Sequence, residues 1–97
     1  MRFEWDEAKR LANLEKHGID FADAPELFQG QMVIALDRRI GYGEERYTGF
    51  GVLKQRVMAV VFSRREPDLI RLISLRKANR RERRRYEQAV ADRLGQD

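Results

Sequence analysis

Apolar positions recur with helical spacing at the two ends of the chain and with strand spacing through its middle. Near the start, the bulky alternation of Phe3, Glu4 and Trp5 predicts a short strand or an extended lead-in. Asp6 then suits an N-cap, with Glu7 favourable in the first turn. Ala8, Leu11, Ala12 and Glu15 fall on one helical stripe, and Gly18 suits a left-handed stop, so the spacing predicts a helix over residues 6–17 that ends with Lys16 and His17. "IDFADAPELFQG" predicts a second short helix burying Phe21, Ala24, Leu27 and Phe28. Two caps fit its start. Asp20 would leave Pro25 late in the first turn, whereas Asp23 would put Pro25 at the second helical position, which is easier.

After Gly30 the period shortens. "QMVIAL" predicts a short buried strand and "DRRIGYG" a loop with two glycines. "EERYTGFGVL" alternates like a strand, with Gly49 and Gly51 marking a bulge or a close backbone approach. "RVMAVVFSR" is apolar on both faces for six residues, which predicts the central strand. "REPD" is a turn, and "LIRLISLRK" is a further strand. Strict alternation along it groups Ile70, Leu72, Ser74 and Arg76 on one face and Arg71, Ile73, Leu75 and Lys77 on the other. Asn79, with Glu82 three residues on, forms a capping-box pattern that opens a final helix. Tyr86, Ala89, Val90 and Leu94 gather on one side of that helix and Arg80, Arg81, Arg84 and Arg85 on the opposite one, with Arg83 near the border.

These elements predict one α+β domain over residues 1–97: two N-terminal helices, a mostly antiparallel sheet of about four strands and a C-terminal helix. A chain of 97 residues, 42% of them apolar, is enough for one modest core. No cysteine is present, which excludes disulfides, Cys-ligated zinc and thiol catalysis and agrees with a reducing cytoplasm. The acids in "MRFEWDEAKR" do not fit a signal peptide, and "MVIAL" and "VMAVVF" are too short to span a bilayer. The expectation is a soluble cytoplasmic protein with no membrane partner.

Net charge is +4, but residues 76–87 hold seven of the 20 Lys and Arg against two of the 16 acids, which leaves the rest of the chain near neutral. A solvated face is one reading of this run. Three details favour a surface for a polyanion. The excess is nearly all Arg, whose planar fork binds phosphate bidentately. Acidic partners at helical spacing are few. Cations at a helix N-terminus oppose the helix dipole, so something negative is needed to offset them. A phosphate backbone and an acidic protein partner both fit.

His17, the only histidine, either caps the first helix or acts as a general acid or base. Arg64 and Arg76 each end an apolar strand, either as charges reaching solvent or as rigidly held phosphate clamps. Tyr47 and Tyr86 read as core or half-core aromatics. No metal site is expected, because Asp6, Glu7, Asp20 and Asp23 are accounted for at helix starts. "GYGEER" lacks the phosphate-loop spacing, and neither a Ser-His-Asp set nor an HExxH pattern is present.

Three stretches, "FEWDEAKRLANLEKHGIDFADAPELF", "EERYTGFG" and "IRLISLRKANRRERRRYE", together resemble the BrnT family of bacterial toxins, in order and from Phe3 to about Glu87. Leu75 is a small departure, standing where a smaller residue is expected. The resemblance implies a compact RelE-type ribonuclease that cleaves RNA without metal or other cofactor and arrests growth. It also implies neutralisation by a cognate BrnA-type antitoxin, a ribbon-helix-helix protein through which the complex reaches operator DNA. The matching positions are Lys16 and His17, Glu45 and Arg46, and Arg76, Lys77, Arg81, Glu82 and Arg83, with Arg64 at a less tightly patterned strand end. Metal-free cleavage needs a deprotonated 2′-OH, a stabilised phosphorane and a protonated leaving oxygen. Arg64, Arg76 and Lys77 are the candidates for the phosphate, with His17, Lys16 or Glu45 for proton transfer. Arg46, Arg80, Arg81, Arg83, Arg84 and Arg85 are candidates for RNA or antitoxin binding. A non-catalytic nucleic-acid-binding or corepressor protein, and an interaction module docking on an acidic partner, use the same basic helix.

Overall fold

The computed structural model describes residues 1–37 and 45–95; the glycine loop expected after Asp37 lies outside them. In chain order the elements are β1 (Arg2–Glu4), α1 (Glu7–His17), a 3-10 turn (Phe21–Asp23), α2 (Ala24–Gln29), β2 (Val33–Asp37), β3 (Arg46–Leu53), β4 (Arg56–Glu66), β5 (Leu69–Lys77) and α3 (Arg80–Leu94). The strands form one sheet in the order β1-β5-β4-β3-β2. β2 to β5 are antiparallel neighbours, and β1 lies parallel to β5 through Phe3↔Ile70. The α+β class and the central place of β4 follow the sequence pattern. The sheet has five strands rather than four because the Phe3 segment finds a partner 67 residues downstream, which local alternation does not reveal.

Local chemistry sets the helix ends. The Asp6 carboxylate accepts from the N–H groups of Ala8 (2.8 Å) and Lys9 (3.3 Å), and Gly18 ends α1 at φ 70°. Of the two candidate caps of the second helix, only Asp20 makes a side-chain capping bond, while Asp23 holds the N-cap position of α2 without one. Asp20 accepts from the Ala22 N–H at 3.0 Å to open the 3-10 turn, and α2 starts only after Asp23, leaving Pro25 in its first two positions. At α3 the Asn79 side chain accepts from the Glu82 N–H (2.8 Å) while the Glu82 carboxylate accepts from the Asn79 N–H (2.9 Å).

α1 does not bury the stripe its spacing suggests. Leu11 is 53% exposed and Asn13 is buried. The reason lies in β5, whose outer edge β1 covers only as far as Glu4↔Arg71. Beyond that point Asn13 takes the place of a strand. Its Nδ2 donates to Leu75 O (2.8 Å) and to Ile19 O (3.1 Å), and its Oδ1 accepts from the Leu75 N–H (3.1 Å). Buried backbone groups must be paired, and that need turns α1 to present Asn13 to the sheet.

β5 departs from strict alternation as well. Val61 pairs with Ser74 but Phe62 pairs with Leu72, so Ile73 is an extra residue in β5. After this bulge the faces exchange. Leu75 joins Ile70 and Leu72 in the core, each at most 2% exposed, and Arg76 turns to the opposite side of the sheet.

The core lies between one sheet face and α1, the 3-10 turn and α2, and is built on Phe21, Leu27, Val60, Phe62, Ile70, Leu72 and Leu75. Gly49 and Gly51 mark a close approach rather than a bulge, since β3 stays in register with β4. A Cβ would come 2.7 Å from Met32 Cε at Gly49 and 3.0 Å from Leu27 Cδ1 at Gly51. β2, expected to be buried, is an edge strand with Ile34 and Leu36 substantially exposed. α3 crosses the other face. Its buried Tyr86 hydroxyl donates to Gln31 O at 2.9 Å, and Arg93 donates to Met32 O at 2.9 Å. With Arg93 holding the last turn, Leu94 is left exposed instead of packing beside Tyr86.

Candidate functional site

The end of the sheet formed by the β3–β4 hairpin gathers one group of the expected residues. Asn13 fixes the last turns of α1 against Leu75, two residues before Lys77. His17 lies four residues after Asn13, on nearly the same helix face, and is half-buried; Lys16 beside it is exposed. Gly18 and Ile19 continue from it into a cavity of about 200 Å³ lined also by Leu53, Lys54, Arg56, Met58 and Lys77. A second, wider concavity of about 600 Å³ adjoins it, lined by Gln55, Arg56, Val57, Lys77, Ala78, Arg83 and Glu87. Arg56 and Lys77 line both. Lys54 Nζ lies 3.4 Å from the Asp23 carboxylate and Arg83 Nε 3.7 Å from Glu87. Among the described residues no ion pair neutralises Arg56 or Lys77, so the concavity keeps an uncompensated positive charge.

Lys54 and Arg56 carried no sequence signal of their own. Lys54 sits in the two-residue turn between β3 and β4, and Arg56 opens β4 in the register Leu53↔Arg56. The two residues between, Lys54 and Gln55, have φ 52° and 67°. Left-handed conformations of this kind cost roughly 1 kcal/mol or more per non-glycine residue.

Arg76 faces the other way. Its two terminal nitrogens donate to the Glu82 carboxylate at 2.8 and 2.9 Å, and the same carboxylate closes the capping box. The Arg76 guanidinium is the main cause that holds the Glu82 carboxyl below its ordinary range, and Glu82 in turn raises Arg76. This bidentate pair ties the first turn of α3 to the end of β5. Arg80, Arg81, Arg83, Arg84 and Arg85 all project from that turn and the next into solvent.

Arg64, Arg46 and Glu45 occupy the opposite end of the sheet. Arg64 lies over the Tyr47 ring, 5.8 Å from its centroid, and Tyr47 stacks on Phe62. The Tyr47 hydroxyl donates to Glu45 at 2.7 Å, a bond that raises the phenol above its usual pKa. Arg64 is six residues along β4 from Met58, the partner of Lys77, a separation of about 20 Å. The six residues expected to be catalytic therefore fall into three places. Lys77 lines the hollows at the hairpin end, and Lys16 and His17 stand on the last turn of α1, which leads into them through Gly18 and Ile19. Arg76 serves α3 on the opposite face, and Arg64 and Glu45 stand apart. Among the described residues no group of three or more His, Asp or Glu is placed to hold a metal ion, and no helix is long and apolar enough to cross a membrane.

Comparison with known proteins places this arrangement in context. A family model described as "Ribonuclease toxin, BrnT, of type II toxin-antitoxin system" matches residues 5–82. The fold is similar to the 1.1 Å crystal structure of the Brucella abortus ribonuclease toxin BrnT, with a TM-score of 0.64 and 30% identity, over 82% of this chain and 99% of that one. No curated protein sequence matches.

Proposed function

Since this chain belongs to the BrnT family of ribonuclease toxins of type II toxin–antitoxin systems, we propose that it cuts RNA without a metal, by attack of a 2′-OH on the neighbouring phosphate, at the hairpin end of the sheet. The observation that carries this reading is the shared concavity, in which the turn after His17 and the uncompensated Lys77 line one wall system. Lys77 stabilises the charge that grows on the phosphorane, usually the largest catalytic contribution. His17 moves the proton to or from the reacting oxygens, with Lys16 at the rim. The products carry 2′,3′-cyclic phosphate or 3′-phosphate ends.

Arg76 takes a supporting part in this reading. Glu82 already satisfies its fork, so it fixes the base of α3 from which Arg80, Arg81, Arg83, Arg84 and Arg85 reach outward. Arg64 and Arg46 hold RNA away from the cut bond, and Glu45 fixes the Tyr47 ring on which Arg64 lies. A type II system supplies a protein antitoxin. We take this one to be of the BrnA type, a ribbon-helix-helix protein with acidic surface for the arginines of α3, and the complex to reach operator DNA through it.

The test is single-turnover cleavage of an RNA pool. Lys77→Ala should slow cleavage roughly a hundredfold, and His17→Gln by a similar factor. Both variants should remain folded, since neither side chain has a hydrogen-bond or ion-pair partner among the described residues. Full activity in both would remove the hairpin end as the catalytic site.

A further inference from the structure

The same concavity extends past the residues given chemical roles, along the tip of the β3–β4 hairpin. There the chain holds Lys54 and Gln55 with positive φ. Two-residue hairpin loops of this geometry ordinarily take Asn-Gly, which enters it without strain. The adjoining side chains are again cationic. Arg56 follows the turn and lines both hollows, and Arg83 closes the wider one from α3. Of these, Lys54 lies 3.4 Å from the half-buried Asp23 carboxylate and within the field of Asp20, and Arg83 lies 3.7 Å from Glu87, whereas Arg56 has no ion-pair partner among the described residues. Among the described residues, Glu87 alone brings an acid to the lining of the two hollows. The tip thus keeps an unfavourable turn and an uncompensated cation where a relaxed, neutral turn would close the hairpin equally well. Backbone strain of this kind is characteristic of functional sites.

We propose that the hairpin tip is a binding site for the RNA backbone beyond the cut bond, with Lys54, Arg56 and Arg83 as its phosphate ligands. This rests on the reading of the protein as a ribonuclease whose chemistry sits beside Lys77. Point charges along an open groove suit a continuous strand of phosphates rather than one enclosed anion. The wider hollow, lined mostly by Gln55, Arg56, Lys77, Arg83 and Glu87, gives little for the apolar core of a protein interface. Binding through these groups releases counterions, so affinity falls steeply with salt, by about 0.7 in logarithmic slope for each phosphate neutralised on a single strand.

The experiment uses the full chain and a 2′-O-methyl RNA oligonucleotide, which binds but cannot be cut through its 2′ positions. Replacing the tip, Lys54→Asn with Gln55→Gly and Arg56→Gln, relieves the turn and removes two cations. The variant should melt no lower than the parent. It should also bind the oligonucleotide about tenfold or more weakly at moderate salt, with a logarithmic salt slope shallower by about 1.4. An unchanged affinity and slope in the folded variant overturns the proposal, as does unchanged RNA binding alongside weakened antitoxin binding, which would assign the tip to a protein. Should the parent fail to cleave RNA at all, the catalytic reading falls, and the binding comparison still decides the groove.

Discussion

Replacing Asn13 with alanine tests whether a single amide anchors the catalytic end of α1. Asn13 makes three hydrogen bonds, to Leu75 O, Leu75 N–H and Ile19 O, at 2.8, 3.1 and 3.1 Å, and its side chain is buried. A buried intramolecular bond contributes roughly 1 kcal/mol net, and a backbone group left unpaired costs about 1–3 kcal/mol. If water reaches one of the three freed groups, the loss comes to roughly 3 kcal/mol. For a domain of this size, with a total stability of about 5–15 kcal/mol, that is a large share. Urea unfolding should show the midpoint falling while the slope is unchanged, and the melting temperature should drop by about 12–24 °C. Cleavage should fall further than the unfolded fraction accounts for, because the turn holding His17 loses its tie to β5. Asn13→Ala within about 1 kcal/mol of the parent would show that the amide is incidental and that α1 is held by its apolar contacts.

Two further outcomes follow from the pairing around α3. The folded-state carboxyl of Glu82 lies below its ordinary range, chiefly through Arg76, so its stabilising effect is complete above the unfolded carboxylate pKa and is lost as pH falls through the lower folded value. Glu82→Gln should therefore cost roughly 1–2 kcal/mol at neutral pH, and the gap from the parent should close in acid-unfolding curves below about pH 4.5; a gap constant with pH would mean that the pair is not held as a charge-assisted bond. Changing Arg80, Arg81, Arg84 and Arg85 to Gln should leave the fold intact, since all four are exposed, and should lower both antitoxin affinity and the salt dependence of RNA binding, measured by calorimetry and titration; neither quantity moving would make the cluster a solvated face only.

Features closed within a few residues were legible in the sequence. The Asp6 cap, the Gly18 stop and the Asn79–Glu82 box need only their neighbours, and each is observed. Features that depend on a distant partner were not. The bulge at Ile73 exists because β5 must pair with β4, and it reverses the faces of Leu75 and Arg76 relative to simple alternation. Asn13 lies off the stripe that helical spacing picked out, whereas the incomplete cover of β5 by β1 makes it the residue that faces inward. The candidate site divides the same way. The motifs pointed to Lys16, His17 and Lys77, which the fold brings to one end, and also to Arg64 and Glu45, which it sets about 20 Å off. Lys54 and Arg56 become neighbours of Lys77 only through strand register, so no spacing in the chain announces them.

The measurement that bears most directly on the central claim is the end chemistry of RNA cut by the purified chain in excess chelator. The account predicts discrete fragments with 2′,3′-cyclic phosphate or 3′-phosphate ends, unchanged by EDTA, and survival of a substrate bearing a single 2′-deoxy residue at the cut site. Fragments with 5′-phosphate and 3′-hydroxyl ends, or activity abolished by EDTA and restored by magnesium, would contradict it.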